Sequence, residues 1–308
     1  MIGFGTWGLS GKDYGFISAK KSKNLILKSV NSGIKFFDTA PLYGNGKVEK
    51  ILGEAIKENK GLRKKITICT KFGLLPHKNH NLKHDFSFNH IKKEISKSLK
   101  NLNSNYIDIY LMHSPNLDEL NIKKILIILN KLKRSKKIKY FGISLKDPSD
   151  IFKLKNLKFF DYFEMNFNLL DQRAAKFKII EYLKKKRKKI ICRTPLCFGF
   201  LSDNLILKNK LNRNDHRRKF WPKSQFDRWN ENKNLFNYYK KKYRINKLSI
   251  FAILFCLSYK FDYVIPGIMS NKQLRENLKA SRFKKIINKD LKEILRIYLK
   301  KEKKIFKK

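Results

Sequence analysis

The first 113 residues hold an acid, a phenol, an amine and an imidazole, the side-chain types used in general acid–base chemistry. Asp38 ends the apolar run 34–37, within Gly33-Ile34-Lys35-Phe36-Phe37-Asp38-Thr39-Ala40-Pro41-Leu42-Tyr43-Gly44, and Tyr43 lies five residues beyond it. Lys71 ends a second short apolar run, 66–70, and His113 ends a third, 107–112, just before Ser114-Pro115. A carboxylate released from a buried strand costs several kcal/mol if it stays unpaired, so Asp38 requires a cation, and Lys71 is the one on offer. Taken singly, Tyr43 reads as well as a packing tyrosine, Asp38 as a turn cap, Lys71 as an exposed strand-end lysine and His113 as a core histidine. Together, at the carboxyl ends of successive strands, they read as one catalytic site.

The elements that must position these groups alternate along the chain. A short strand at 2–6 runs into Trp7-Gly8 and is followed by a helix at 19–31, the strand 34–37 and an amphipathic helix at 48–59. On that helix Val48, Ile51, Leu52, Ala55 and Ile56 share one face. The strand 66–70, helix 88–102, strand 107–112, helix 122–132 and strand 139–143 follow, and the turn Asp147-Pro148-Ser149 starts a short helix at 150–154. The second half reads as a strand at 162–165, a helix at 174–186, a strand at 190–193, a helix at 248–258 and a strand at 263–265. Eight strands alternating with helices, without a GxGxxG turn after the first, predict a single-domain α/β fold of the (β/α)8 TIM-barrel type, not an open dinucleotide-binding sheet. Active sites of such barrels lie at the carboxyl ends of the strands, where Asp38, Lys71 and His113 fall. Segment 202–227, rich in Asn, Arg and Lys and carrying Trp221, reads as a long irregular loop, and the residues from about 299 to 308 as a frayed basic tail.

Composition narrows the class. With 308 residues and 42% hydrophobic content the chain can bury a large core, and one barrel domain fits its length. The formal charge is +47, from 72 Lys and Arg against 25 Asp and Glu, but the lysines are spread over every helix and no recognition motif accompanies them. We therefore expect a solvated basic surface and no nucleic-acid partner. Cys69, Cys192, Cys197 and Cys256 share no CxxC spacing and read as reduced core thiols of a cytoplasmic protein. The start of the chain lacks the pattern of a secretory signal, and the apolar run 248–257 is too short to span a bilayer, so no membrane association is expected. His80 and His84 have an i, i+4 interval beside His77 and His90, but no acid or cysteine at matching spacing, and no metal site is expected.

Several motifs, in order, resemble the aldo-keto reductase family. They are Gly5-Thr6-Trp7, Phe36-Phe37-Asp38-Thr39-Ala40 with Tyr43-Gly44, Thr70-Lys71, Tyr106-Ile107-Asp108 with His113-Ser114-Pro115, and Phe141-Gly142-Ile143-Ser144. Asn168-Leu169-Leu170, Arg193-Thr194-Pro195-Leu196 with Gly199, and Ile265-Pro266-Gly267 with Gln273 and Glu276-Asn277 extend the match over nearly the whole chain. The resemblance implies a (β/α)8 barrel that uses NADPH, with NADH as the alternative, to reduce a small-molecule aldehyde or ketone, sugar carbonyls included. It also implies Tyr43 as general acid, Lys71 as the cation that lowers the phenol pKa from about 10, Asp38 as the partner of Lys71, and His113 as the donor that orients the substrate oxygen.

By the same resemblance Trp7 lines the substrate pocket, and the cofactor contacts come from Thr6, Ser144, Glu164, Arg193, Leu196, Gly199, Arg217, Gly267, Gln273, Glu276 and Asn277. The chain departs from the family pattern at Leu145 (usually Asn), Glu164 (usually Gln), Arg193 (often aromatic) and Gln273 (an arginine in other branches). A glutamate accepts a hydrogen bond but cannot donate one, and it brings a buried charge to the site. These departures motivate the alternative of a catalytically weak, NADP-binding regulatory subunit that keeps the fold. Segments 74–85 and 202–227, which the resemblance makes the substrate-selecting loops, carry no pattern that identifies the substrate.

Overall fold

Short continuous apolar runs rich in β-branched residues place strands where the chain is buried on both faces. The computed structural model describes residues 1–76, 82–155 and 157–305. Its eight strands are β1 (Phe4–Gly5), β2 (Phe36–Asp38), β3 (Thr67–Phe72), β4 (Ile107–His113), β5 (Ile138–Ser144), β6 (Tyr162–Asn166), β7 (Lys189–Arg193) and β8 (Tyr263–Val264). They pair in parallel in chain order. Parallel bridges from Ile2 to Val264 and from Gly5 to Gly267 join the first strand to the last, with Gly3 N donating to Val264 O at 2.8 Å. This is the (β/α)8 barrel expected from the alternation.

Period-2 alternation decides which side chains enter the barrel. Phe36, Cys69, Ile109, Leu111, Tyr162, Ile191 and Ile265 pack as an inner cluster, separate from the larger core between strands and helices. Two residues beyond Phe36, Cys69, Leu111, Tyr162 and Ile191 on the same inward face come Asp38, Lys71, His113, Glu164 and Arg193. The apolar interior is thus roofed by a polar layer at the carboxyl ends of the strands. At the opposite end Arg63 donates to Asp108 at 2.7 Å and to the Tyr106 carbonyl, Lys139 pairs with Asp108 at 2.8 Å, and the Phe36 and Tyr263 rings stack at 3.9 Å.

Outside the strands, serine caps set helix starts: Ser18 accepts from Lys21 N, Ser87 from His90 N and Ser270 from Gln273 N. The helix Leu248–Ser258 is buried almost throughout, and among the described residues no helix is long and apolar enough to cross a membrane. All four cysteines are free and buried.

Three expected elements differ. The helix anticipated at 174–186 is split into Arg173–Lys176 and Ile179–Lys185, because Lys178 adopts a left-handed φ of 51° that turns Ile179 and Ile180 into the core. Segment 202–227 contains helical turns, His216–Phe220 and the start of Lys223–Asn232, capped by Asp215 in the first case and anchored by buried Phe226 and Trp229 in the second. Up to Ile305 the expected basic tail is instead the end of the helix Asn288–Ile305, in which Leu291, Ile294, Tyr298 and Ile305 keep one buried face and Lys176 pairs with Glu302 at 2.7 Å, while residues 306–308 lie outside the described residues.

Gly142 marks a close approach of β5 to β6. A Cβ there would stand 2.0 Å from the Tyr162 carbonyl oxygen and 2.9 Å from Leu111. Replacing Gly142 with Ala is expected to destabilise the fold by about 1–3 kcal/mol, measured by urea unfolding, since overpacking of a fixed strand pair has that magnitude.

Candidate active site

The polar layer is built on Lys71, whose side chain has no solvent exposure. Its Nζ donates to Asp38 Oδ1 at 2.5 Å and to the Thr39 carbonyl at 3.1 Å, and lies 3.5 Å from Glu164 Oε2. Burial alone would lower the lysine pKa, but the carboxylates of Asp38 and Glu164 overcome this and hold it well above its ordinary value. Asp38 is pushed up to about 8 by burial and by the neighbouring Glu164, against the pull of Lys71. For Glu164 burial works in the same upward direction, but Lys71 and Arg193 outweigh it and hold the carboxyl below its usual range.

Tyr43 lies half-buried just past β2. The Lys71 ammonium is 5.4 Å from the centre of its ring, the His113 ring meets it edge-on at 6.3 Å, and Trp7 stacks on it at 6.0 Å. Burial raises the phenol pKa, and Lys71 opposes that rise. Asp38 and Tyr43, five residues apart, therefore converge with the distant Lys71 and His113 at the carboxyl ends of β2, β3 and β4.

The residues expected to meet a cofactor fall into three groups. Ser144, Glu164 and Arg193 form a connected cluster beside Lys71: Ser144 Oγ donates to Glu164 Oε1 at 2.7 Å, and Arg193 donates to Ser144 Oγ at 3.3 Å and to the Leu145 carbonyl at 2.7 Å. Leu196, Gly199 and Arg217 lie along the turn after β7, where Gly199 has a φ of 96°; Arg217 is already engaged, donating to Asp215 at 2.9 and 2.6 Å and to the Phe198 carbonyl at 3.1 Å. Gly267, Gln273, Glu276 and Asn277 surround the turn after β8, with Gln273 accepting from Met269 N at 2.7 Å, Glu276 paired with Lys247, and Asn277 donating to the Gly267 carbonyl at 3.3 Å. Thr6 stands apart, its hydroxyl donating to the Asp38 carbonyl at 2.7 Å, so it positions the backbone of Asp38.

Of the histidines considered for a metal, His77 and His80 lie outside the described residues, while His90 faces Asp85 and Glu94 at 3.6 and 3.2 Å. Asp38, Cys69 and Glu164 also bring potential ligand atoms within 4.8 Å of one another, but the Lys71 ammonium already supplies the cation there.

Beside Tyr43, Trp7 belongs to an aromatic wall with Tyr14 and His216. Trp7 donates to Asp13 at 2.9 Å and lies 4.4 Å from the His216 ring, which is also 4.4 Å from the Tyr14 ring and bonded through Nδ1 to the Asp13 carbonyl at 2.8 Å. The stretch Asp215-His216-Arg217-Arg218 reads from sequence as a segment folding over the cofactor pyrophosphate, with Arg217 as its better candidate, and that reading gives His216 no place in an aromatic wall. Burial lowers the His216 pKa to about 4, so the folded chain refuses a proton that the unfolded chain accepts from about 6.5 downward. Stability is therefore expected to fall as the pH drops from about 6.5 to 4, by at most about 3 kcal/mol from this residue. Urea unfolding at both ends of that range should show a shallower pH slope in His216→Phe than in the wild type.

Residues 1–298 match the sequence profile of the Aldo/keto reductase family. A probable aldo-keto reductase from Glycine max is 28% identical over 95% of this chain and 84% of its own length. An aldo-keto reductase from Schizosaccharomyces pombe whose name specifies NADP(+) is 27% identical over 92% of this chain and 84% of its own length. The structure of a glycerol dehydrogenase from Gluconobacter oxydans superposes with a TM-score of 0.77 at 24% identity, covering 97% of this chain and 91% of that one, and so shares the fold. Matched by the family profile over nearly its full length, the chain belongs to the aldo/keto reductase family, a family of oxidoreductases.

Proposed function

We propose that the protein reduces aldehyde or ketone carbonyls with hydride from NADPH, with Tyr43 as the general acid. The observation that carries this reading is the buried Lys71 ammonium, bonded to Asp38 and set 5.4 Å from the Tyr43 ring that His113 meets edge-on. A carbonyl that accepts hydride develops negative charge on oxygen, which needs both a proton and a fixed hydrogen-bond donor. Tyr43 gives the proton, Lys71 stabilises the phenolate that remains, and Asp38 keeps Lys71 charged and aimed. His113 donates to the substrate oxygen and orients it. Trp7, held by Asp13 and stacked on Tyr43, forms the apolar wall on which the substrate rests.

The residues present fit a nicotinamide cofactor. Ser144 and Glu164 offer a hydroxyl and an acceptor for a carboxamide, and beside them Arg193 Nε is a buried donor without a hydrogen-bond partner among the described residues. A guanidinium plane can also stack on a ring. Leu196, Gly199 and Arg217 would border the pyrophosphate of a bound dinucleotide, and Gly267, Gln273, Glu276 and Asn277 its adenosine, while Thr6 would act through the Asp38 backbone it holds. When bound, the cofactor supplies the hydride. A groove of about 400 Å³ bordered by Lys21, Lys28 and Lys272 at the start of the helix Asn271–Ala280 supports a phosphorylated cofactor, as does the NADP(+) in the name of the fission-yeast relative. Four free cysteines and small-molecule redox chemistry agree with a cytoplasmic location.

Replacing Tyr43 with Phe is expected to lower kcat for carbonyl reduction by about 10²- to 10⁴-fold in a stopped-flow assay of NADPH oxidation over a carbonyl panel, and equal rates would remove Tyr43 from the mechanism. Lys272→Ala should raise the KM for NADPH and leave that for NADH unchanged. A parallel change for both cofactors would argue against a 2′-phosphate contact at that lysine.

A further inference from the structure

We propose that Asp38 and Glu164 share one proton beside Lys71, and that this proton reloads Tyr43 in each turnover, making Glu164 a positioning residue that acts through Lys71. The proposal rests on the carbonyl-reductase reading and adds a buried proton store to it.

The geometry sets two carboxylates against one ammonium. Asp38, Lys71 and Glu164 are 3%, 0% and 1% exposed. Oxygens of the two carboxylates approach within 4.8 Å, and Lys71 Nζ lies 2.5 Å from Asp38 and 3.5 Å from Glu164. The second cation, Arg193, comes no nearer to Glu164 than 4.0 Å and directs its hydrogen bonds to Ser144 and Leu145. Glu164 Oε1 takes the Ser144 hydroxyl, but Oε2 is buried without a hydrogen-bond partner. One proton held by the pair removes one of two like charges from a site that cannot solvate both.

The remaining groups facing the pair leave this assignment in place. Cys69 faces it from β3 with a thiol that burial pushes up and keeps neutral, and Tyr43 faces it from the loop after β2 with a phenol raised by burial. His113, from β4, stands edge-on to Tyr43 at 6.3 Å. Burial and Glu164 push Asp38 up to about 8, while Lys71 and Arg193 hold Glu164 below the usual carboxylate range, so the pair together holds one proton near neutrality.

In turnover, hydride adds to the carbonyl carbon, the C=O π pair moves onto oxygen, and the Tyr43 O–H proton goes to that oxygen. The phenolate takes a proton from the Lys71 ammonium, and the resulting amine takes the proton shared by Asp38 and Glu164. Solvent returns one proton to the pair after the alcohol leaves. Before transfer the pair carries one negative charge against the cations Lys71 and Arg193; afterwards it carries two. The lost proton offsets the positive charge gained by the oxidised nicotinamide, so the net charge of the desolvated site is unchanged.

Glu164→Gln keeps the side-chain shape and abolishes the shared proton. Infrared difference spectra of the cofactor-free protein, wild type minus Glu164→Gln, are expected to show a protonated carboxyl band that fades as the pH is raised past about 8. Asp38→Asn, a second variant, should lack the same band, with circular dichroism confirming that both fold. In wild type, kcat for reduction should fall through the same pH, and Glu164→Gln should lose that inflection. A band absent from wild type, or retained in both variants, would overturn the shared proton. A titrating band accompanied by an unchanged pH profile in Glu164→Gln would overturn the reloading step. Failure of Tyr43→Phe to slow reduction would sink the reductase reading while leaving the infrared result standing, so the two failures are distinguishable.

Discussion

A cation locked inside the barrel is the constraint on which the rest of the active end depends. An ammonium removed from water is strongly penalised, and the penalty is offset only by well-placed partners, here Asp38, the Thr39 carbonyl and Glu164. Removing one member of such a buried pair typically costs about 3–5 kcal/mol, because an uncompensated charge remains. The registers of β2, β3 and β6 are therefore held by electrostatics at the top of the barrel as well as by the apolar cluster beneath it. A slip of one residue would turn Lys71 outward and Thr70, now bonded to Glu49 at 2.8 Å, inward.

The two ends of the barrel divide their work. The amino-terminal end is closed by Arg63, Asp108 and Lys139 and by stacked Phe36 and Tyr263, contacts that hold strands together. At the carboxyl-terminal end the backbone turns left-handed at Ser114 after β4 and at Thr194, Cys197 and Phe198 after β7. Non-glycine residues in that conformation are maintained only where the surroundings over-determine them. Here they lie on the rim next to His113 and Arg193, and Phe198 meets the aromatic wall of Trp7, Tyr14 and His216 at the His216 ring, 5.9 Å away.

The charge imbalance of +47 acquires a structural meaning from where the acids lie. Asp38, Glu49, Asp108, Glu164, Asp171, Asp215 and Asp290 are all buried, and most are tied to a cation. Seven of the 25 acids thus hold strands, loops and the active layer in place from the interior. The lysines, whose long stems tolerate exposure, occupy the surface.

Much of this was legible in the linear chain, for reasons of local physics. Apolar runs ending in Asp38, Lys71 and His113 mark strands that emerge at one rim, because burial on both faces forces the runs and parallel order puts their ends together. Less visible were the helices His216–Phe220 and Lys223–Asn232, whose formation depends on Phe226 and Trp229 finding the core, and the helical end of the chain, whose lysines conceal Tyr298 and Ile305. Residue order thus determined the strand count, the barrel and the identity of four chemical groups. Tertiary structure alone decided that Glu164 should face Asp38 across Lys71, that Arg217 should be engaged by Asp215, and that His216 should complete the wall beside Trp7. Those outcomes depend on distances between segments far apart in the chain, and neither propensity nor spacing along the sequence encodes such distances.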